Sequence, residues 1–301
     1  MSLAGGDLTT PQRVSNWLPN PPTLPSTIIS QLIGSMTGLL YGKLNRARTY
    51  NQTFTRTFDG VGNAQIVLPD YPVTSVTSVY NGQALIPPRV LVPQGTVLPQ
   101  GSSPCYGWSV PYWAGNLPGE NATLDFIGGY FWGAQAVKVT YQAGYLISAE
   151  TQTVPSTPYE ITVNQFEGIW CRDNGVAYAT SGALLTPVAA SPTTGQYIPP
   201  ADASPGLYTF SAGDVNANLL LSYSFIPAPL EEACIQMVAE RSSYRTRVGD
   251  ISKSLGGQET VRFMRGNSGS PWNKSGSLPP EVMDLIEPYI SVVYPNIGTP
   301  L

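Results

Sequence analysis

The chain has 301 residues, long enough for two domains and for a core that buries about three quarters of its extended surface. Charged residues make up only 11%, and 15 Lys and Arg against 19 Asp and Glu leave a net charge of −4. That balance excludes a global basic footprint for gripping nucleic acid, although a channel that lets DNA pass fits it equally well.

There is no histidine, which removes the commonest general base, the commonest metal ligand and every Ser-His or Cys-His nucleophile. The three cysteines, Cys105, Cys171 and Cys234, lie far apart in an odd count and read as small buried hydrophobes rather than a disulfide or zinc framework. Apolar content of 42% argues against disorder, and 30 Gly with 29 Pro suit short strands and turns. The N-terminal residues lack the basic and apolar regions of a signal peptide. Ile28 to Leu44 is too short for a membrane span and is interrupted by Gln31, Ser35, Thr37 and Lys43. Synthesis in a cytoplasm and no membrane partner are expected.

In chain order, Thr10-Pro11 reads as an N-cap and first helical position, opening a short helix through Leu18. A longer helix from Ser26 to about Arg46 is predicted to bury Ile28, Leu32, Met36, Leu39 and Leu40. Gly34, Gly38 and Gly42 recur every fourth residue as a smooth packing stripe; tight packing inside the subunit is favoured over contact with a neighbouring subunit. From Thr49 the period changes to two: Phe54, Arg56 and Phe58, a turn at Asp59-Gly60, Ile66 and Leu68, then Val73 to Tyr80 running into an Asn81-Gly82 turn. An aromatic-rich excursion spans 100–135, with Tyr106, Trp108, Tyr112, Trp113, Phe126, Tyr130, Phe131 and Trp132. Ala136 to Tyr145 is a strand ending at a glycine.

Residues 147–226 form a different block, with strands predicted at Tyr159 to Val163, Gly175 to Thr180, Ala183 to Val188, Gly206 to Ser211 and Asn218 to Phe225. Turn signals stand at Asp173-Asn174-Gly175, Thr194-Gly195 and Ser204-Pro205-Gly206, and the spacing argues for an all-β sandwich-like domain. Pro229 then opens an amphipathic helix, with Glu231 and Glu232 at the positive end of its dipole and Arg241, Arg245 and Arg247 toward the negative end. Leu230, Cys234, Met237, Val238 and Tyr244 share one face. Gly256-Gly257 marks a turn, Glu259 to Phe263 a short strand, and Pro280 to Val293 a last helix.

The ordered set is Leu-Pro-x-x-Pro-Val-x-Ser-Val-x-Ser-Val from Leu68, Val-x-Val-Thr-Tyr-x-Ala-Gly-Tyr from Val137, and Pro-x-x-Leu-Glu-x-Ala-Cys from Pro227, with an Arg-rich helix end. Together with the two N-terminal helices, it resembles the head–tail connector (adaptor) proteins of tailed bacteriophages. The resemblance covers residues 7–86, 136–145 and 227–263. In that family the Ala-Gly-Tyr strand leads almost directly into the Pro-x-x-Leu helix, so the 147–226 block stands as an insertion in a loop, where insertions cost little.

The resemblance implies an α+β fold: a small helical bundle with a β-hairpin and sheet at 1–146 and 227–301, plus the inserted β-domain. It implies a ring, typically of twelve copies, between portal and tail in the virion, extending the DNA channel and docking a tail, stopper or nozzle protein. Genomic DNA would pass without sequence-specific binding, and synthesis would take place in the bacterial host. The C-terminal segment of such proteins often reaches the portal, which marks Tyr289, Tyr294 and Ile297 beside Arg241, Arg245 and Arg247 as candidate interface residues. The arginines are left open between portal carboxylates, channel DNA and a neighbouring subunit.

Catalytic signatures fail on inspection. Gly42-Lys43 lacks the upstream glycine and the Ser/Thr of a P-loop, and the adjacent Glu231 and Glu232 point in different directions on their helix. No enzyme activity, cofactor or metal is expected. Asp173, Asp202 and Asp214 read as turn residues. A second reading of another class is a virion-surface module that binds a host glycan or protein through the β-domain.

Overall fold

The computed structural model describes residues 6–17, 25–46, 48–89, 107–112, 122–164, 167–201, 205–245, 252–255, 259–262 and 278–290. The chain opens with helices α1 (Pro11–Trp17) and α2 (Ser26–Leu44). Strands β1 (Gln52–Val61), β2 (Gln65–Val67), β3 (Val73–Asn81), β4 (Ala84–Ile86), β5 (Gly107–Tyr112), β6 (Thr123–Ile127), β7 (Trp132–Ala143) and β8 (Leu146–Thr153) follow. Next come β9 (Glu160–Thr162), β10 (Gly168–Tyr178), β11 (Thr186–Pro187), β12 (Gln196–Ile198), β13 (Leu207–Phe210) and β14 (Asn218–Pro227). The C-terminal part holds α3 (Ala228–Arg245), β15 (Ser252–Leu255), β16 (Glu259–Arg262) and α4 (Pro280–Ile286). The fold is mixed α+β with several sheets.

Two compact units emerge. One takes Met1–Lys43, Glu150–Leu221 and Ile226–Pro288; the other takes Leu44–Ala149, Ser222–Phe225 and Tyr289–Leu301. This division differs from the expected insert at 147–226. The β-block groups with the helices in the first unit, and the sheet around β7 makes a unit of its own.

In the first unit the Thr10 cap is present: Thr10 Oγ1 accepts from Arg13 N at 3.4 Å and the Thr10 carbonyl from Val14 N at 3.1 Å. The face of α3 is as predicted, with Leu230, Cys234, Met237 and Val238 all fully buried. Glu231 does more than face the helix dipole. It is itself buried, accepts from Thr9 Oγ1 at 3.0 Å, and takes the Arg13 guanidinium on both carboxylate oxygens, which fastens α1 to α3. On α2 the buried side is Ile29, Ile33, Met36, Thr37, Leu40 and Tyr41, one position round from the expected stripe, with Ile28, Leu32 and Leu39 only part-buried. Thr37 explains the shift. Its hydroxyl accepts from Leu8 N at 3.2 Å and lies 3.8 Å from Cys234 Sγ, so a polar residue takes an inner position. The last helix is shorter than predicted: α4 ends at Ile286 and a single 3₁₀ turn, Glu287–Tyr289, holds Pro288.

The β-block builds two sheets, β10-β14-β8 and β11-β12-β13-β9; Leu146–Ala149 of β8 and Ser222–Phe225 of β14 are counted with the second unit. The indole Nε1 of the fully buried Trp170 on β10 donates to Tyr208 OH on β13 at 3.2 Å, joining them. Asp173-Asn174-Gly175 is not a turn; it lies inside the eleven-residue β10, where the Asp173 side chain accepts from Gly175 N at 3.1 Å. The Thr194-Gly195 turn is present.

In the second unit β7 is the central strand of an antiparallel sheet, β1-β7-β3-β4. Its alternating Val137, Val139, Tyr141 and Ala143 are at most 1% exposed, as period two demands of a strand with one face in the core. They join Phe58, Val73, Val79 and Ile86 with Ile66, Val110, Leu124 and Phe126 of the second sheet, β2-β6-β5. Each such aliphatic or aromatic side chain contributes about 1.5–3 kcal/mol on burial. Part of the aromatic excursion is therefore strand. Asp59-Gly60 is not a turn either: β1 runs through it to Val61 with a register shift between Phe58 and Gly60, because Gly60 lies against the β7 backbone at Trp132. The β3–β4 hairpin turns on Gly82-Gln83, one residue later than expected, since Asn81 still pairs with Ala84.

Candidate interaction surfaces

Of the predicted interface residues, Arg241 is exposed near the end of α3, and Arg245 is the last residue of that helix. Arg247, Tyr294 and Ile297 lie outside the described residues, as does Tyr244's side chain. Tyr289 is described. It sits half-buried in the second unit, where its carbonyl accepts from Tyr71 OH and its ring stands edge-on to Tyr145 at 6.2 Å. Arg241 and Arg245 fall in one unit and Tyr289 in the other.

The cluster that receives Tyr289 was not foreseen. Arg46 is only 7% exposed, and its guanidinium lies over the Tyr71 ring at 4.0 Å and the Tyr145 ring at 5.2 Å, with Nη1 donating to Tyr145 OH at 3.4 Å. Tyr145 also packs on Phe225 at 5.6 Å. A cation caged between aromatic faces is a strong local tie when desolvated. Arg46 just past the C-terminal end of α2 was the available signal, and charge at a helix terminus alone does not say which rings will meet it. A second tie in the same unit sets Arg56 bidentate on Asp70, both bonds 3.0 Å, with Tyr141 OH donating to the same carboxylate at 2.5 Å.

Of the glycine stripe only Gly34 has a described neighbour, the Asp7 carboxylate, which a methyl group there would meet at 3.8 Å. Gly34, Gly38 and Gly42 are exposed, and a methyl group at Gly38 or Gly42 would meet open space. Close packing is not seen at Gly38 or Gly42 among the described residues. Gly38→Ala is expected to raise the stability of the isolated chain by about 0.5–1 kcal/mol, since helix glycines cost that much relative to alanine. A urea midpoint that falls instead would show a close neighbour at Gly38.

Exposed large apolar side chains are Trp17, Leu85, Tyr130, Trp132 and Leu184. Tyr130 and Trp132 are held by Asn81, whose side chain donates to the Tyr130 carbonyl at 3.1 Å and accepts from Trp132 N at 3.5 Å. A shallow cavity of about 460 Å³ is lined by Asn63, Ala64, Gln65, Asp125, Phe126 and Ile127. Burial pushes the Asp125 carboxyl above the usual range, and its Oδ1 has no hydrogen-bond partner.

Among the described residues no group of three or more Asp, Glu or Cys is placed to hold a metal ion. The thiols of Cys171 and Cys234 are buried and pushed up, Cys234 to about 12, by loss of solvent, which makes them poor nucleophiles. Cys105 lies outside the described residues. No described helix is long and apolar enough to cross a membrane.

Asp173 and Asp214 are more than turn formers. Asp173 accepts from Tyr197 OH at 2.6 Å and Tyr208 OH at 3.0 Å, and Asp214 from Tyr178 OH at 2.5 Å and from Gly195 N. Asp202 lies outside the described residues. Burial raises the hydroxyl pKa of Tyr141, Tyr145, Tyr197, Tyr208 and Tyr289 above the ordinary 10; for Tyr178 the bond to Asp214, then burial, pushes it up to about 12. Tyrosines whose folded pKa is raised contribute stability that is fully present below pH 10 and is lost as pH rises through their folded pKa values. In an alkaline titration followed at the phenolate band, these six are expected to ionise late and together with loss of far-ultraviolet dichroism. Smooth titration of all 17 tyrosines near pH 10 with the fold intact would contradict this.

Comparison with protein-family models finds no match to this chain, and none is found among curated proteins.

Proposed function

We propose that the chain is a structural virion protein, an adaptor that forms a homo-oligomeric ring between portal and tail, extends the DNA channel and docks the tail. The observation that carries this reading is the way the motif-bearing segments meet. Val73, Val79 and Asn81 of the hairpin segment pair with Ala143, Val139 and Val137 of the strand that ends in Ala-Gly-Tyr, sixty or so residues away in sequence. Thr9 and Arg13 of the capped N-terminal helix segment hold Glu231 of the Pro-x-x-Leu-Glu helix. Two pairs of the segments that suggest the family as an ordered set are thus packing partners, which supports the reading. In this reading the β-block is carried by the helical unit, and the exposed Trp17, Tyr130, Trp132 and Leu184 offer contact area to neighbours or partners.

The test is to mix the purified chain with rings of the cognate portal protein and count copies by electron microscopy. The expected result is density capping the narrow end of the portal, in register with its symmetry. A stable two-fold dimer that ignores portal rings would overturn the proposal. Association with tail or fibre particles instead would favour the host-binding module.

A further inference from the structure

The sheet β1-β7-β3-β4 has two margins, β1 and β4. β4 is only three residues long. β1 is ten residues long and pairs with β7 without a break from Gln52 to Phe58, and no strand lies on its other side among the described residues. Thr53, Thr55, Arg56 and Thr57 are exposed. Such an edge presents a row of unpaired N–H and C=O groups, the template on which another strand adds. The usual devices that blunt an edge are weak here. The bulge comes only after seven regular residues, and the one basic side chain, Arg56, is drawn onto Asp70. The three threonines are β-branched and suited to cross-strand pairs.

The same chain carries strands with the complementary deficiency. β15 and β16 pair with each other over four residue pairs and with no further strand among the described residues. A lone two-stranded hairpin is marginal in water and gains from a third strand and a sheet to extend.

We propose that the open edge of β1 in one copy receives the β15–β16 hairpin of a second copy, extending the sheet from four strands to six across the subunit boundary. Four residues of either hairpin strand fit within the seven regular residues of the edge. The two surfaces differ, so the contact is head-to-tail and each copy has one of each left to offer. Repetition either closes into a ring or continues as a filament. The inference deepens the adaptor reading and rests on it for ring closure alone.

The test uses the full chain with Cys105→Ser, so that the remaining thiols, Cys171 and Cys234, are buried. Thr55→Cys is mixed with Thr260→Cys or Ser254→Cys, which lie opposite each other on the two hairpin strands, and treated with a short bismaleimide. Because each protein carries one half of the pair, a product of twice the chain mass reports contact between copies. The control pair is Thr55→Cys with Leu184→Cys, an exposed site elsewhere. The expected result is a cross-link with at least one hairpin position and none with the control. A second variant with 252–262 replaced by a Gly-Ser loop is expected to melt as the parent does and to lose self-association. Copies that assemble on portal rings without the cross-link would overturn the strand contact and leave the adaptor reading standing. Cross-linked chains that never dock on a portal would do the reverse. A Gly-Ser variant that assembles like the parent would also overturn the strand contact.

Discussion

Gly144→Ala is expected to destabilise the chain by about 3–5 kcal/mol, a large part of what a typical domain has to lose. Gly144 closes β7 with φ +125, a region that residues with a Cβ rarely enter. A Cβ there would run into the Tyr50 carbonyl and lie 2.6 Å from Asn51 N. These neighbours are backbone, so no side chain can swing aside. Moving the strand end instead would loosen Gly144 N to Pro72 O at 2.8 Å and Tyr145 N to Thr49 O at 2.9 Å. It would also disturb Tyr145, which stacks with Arg46 and Phe225. Urea unfolding with an unchanged m-value measures the loss directly. A midpoint within the scatter of the parent would mean that the Ala-Gly-Tyr corner is not built this way.

Asp173→Ala is expected to cost about 3–5 kcal/mol, through the β-block rather than the sheet around β7. One carboxylate serves Tyr197, Tyr208 and the Gly175 amide. Both tyrosines are at most 1% exposed, so their hydroxyls lose a charged acceptor in a largely buried setting, and Tyr208 already uses its oxygen to accept from Trp170. The rings stack with Phe210 at 6.2 and 6.4 Å, which holds the hydroxyls in place with nowhere to turn. Asp173→Asn should lose less, since the amide oxygen still accepts one bond. Adding Tyr197→Phe in the alanine background should recover part of the loss, because one unpaired donor leaves with it, while Tyr208 keeps the hydroxyl that accepts from the Trp170 indole. Thermal unfolding of the three variants decides the matter, and equal loss with and without the Tyr197 hydroxyl would refute the shared-acceptor account.

What the sequence made legible follows local physics. The Thr10-Pro11 cap, the α3 face and the alternating β7 are set by capping, a 3.6-residue period and a two-residue period, and each is where it was expected. The misses share another cause. Asp59-Gly60 and Asp173-Asn174-Gly175 carry turn chemistry yet lie inside strands, because Gly60 meets a neighbouring backbone and Asp173 is claimed by two tyrosines distant in sequence. The α2 face turned because Thr37 found partners in Leu8 and Cys234. Tyr289 was read as a candidate interface residue, and nothing near it in sequence announces its partners Tyr71 and Tyr145. Propensity describes a residue's neighbours along the chain, and these four cases were settled by neighbours across it.

The buried polar groups have a consequence for when the molecule changes its charge. Its internal polar pairs are tyrosine hydroxyls donating to aspartates and arginines gripping acids, and histidine, the side chain that switches between about pH 5 and 8, is missing altogether. Across that interval no histidine is there to change its charge. A mild shift in acidity therefore meets a chain that lacks the side chain most often used to read it.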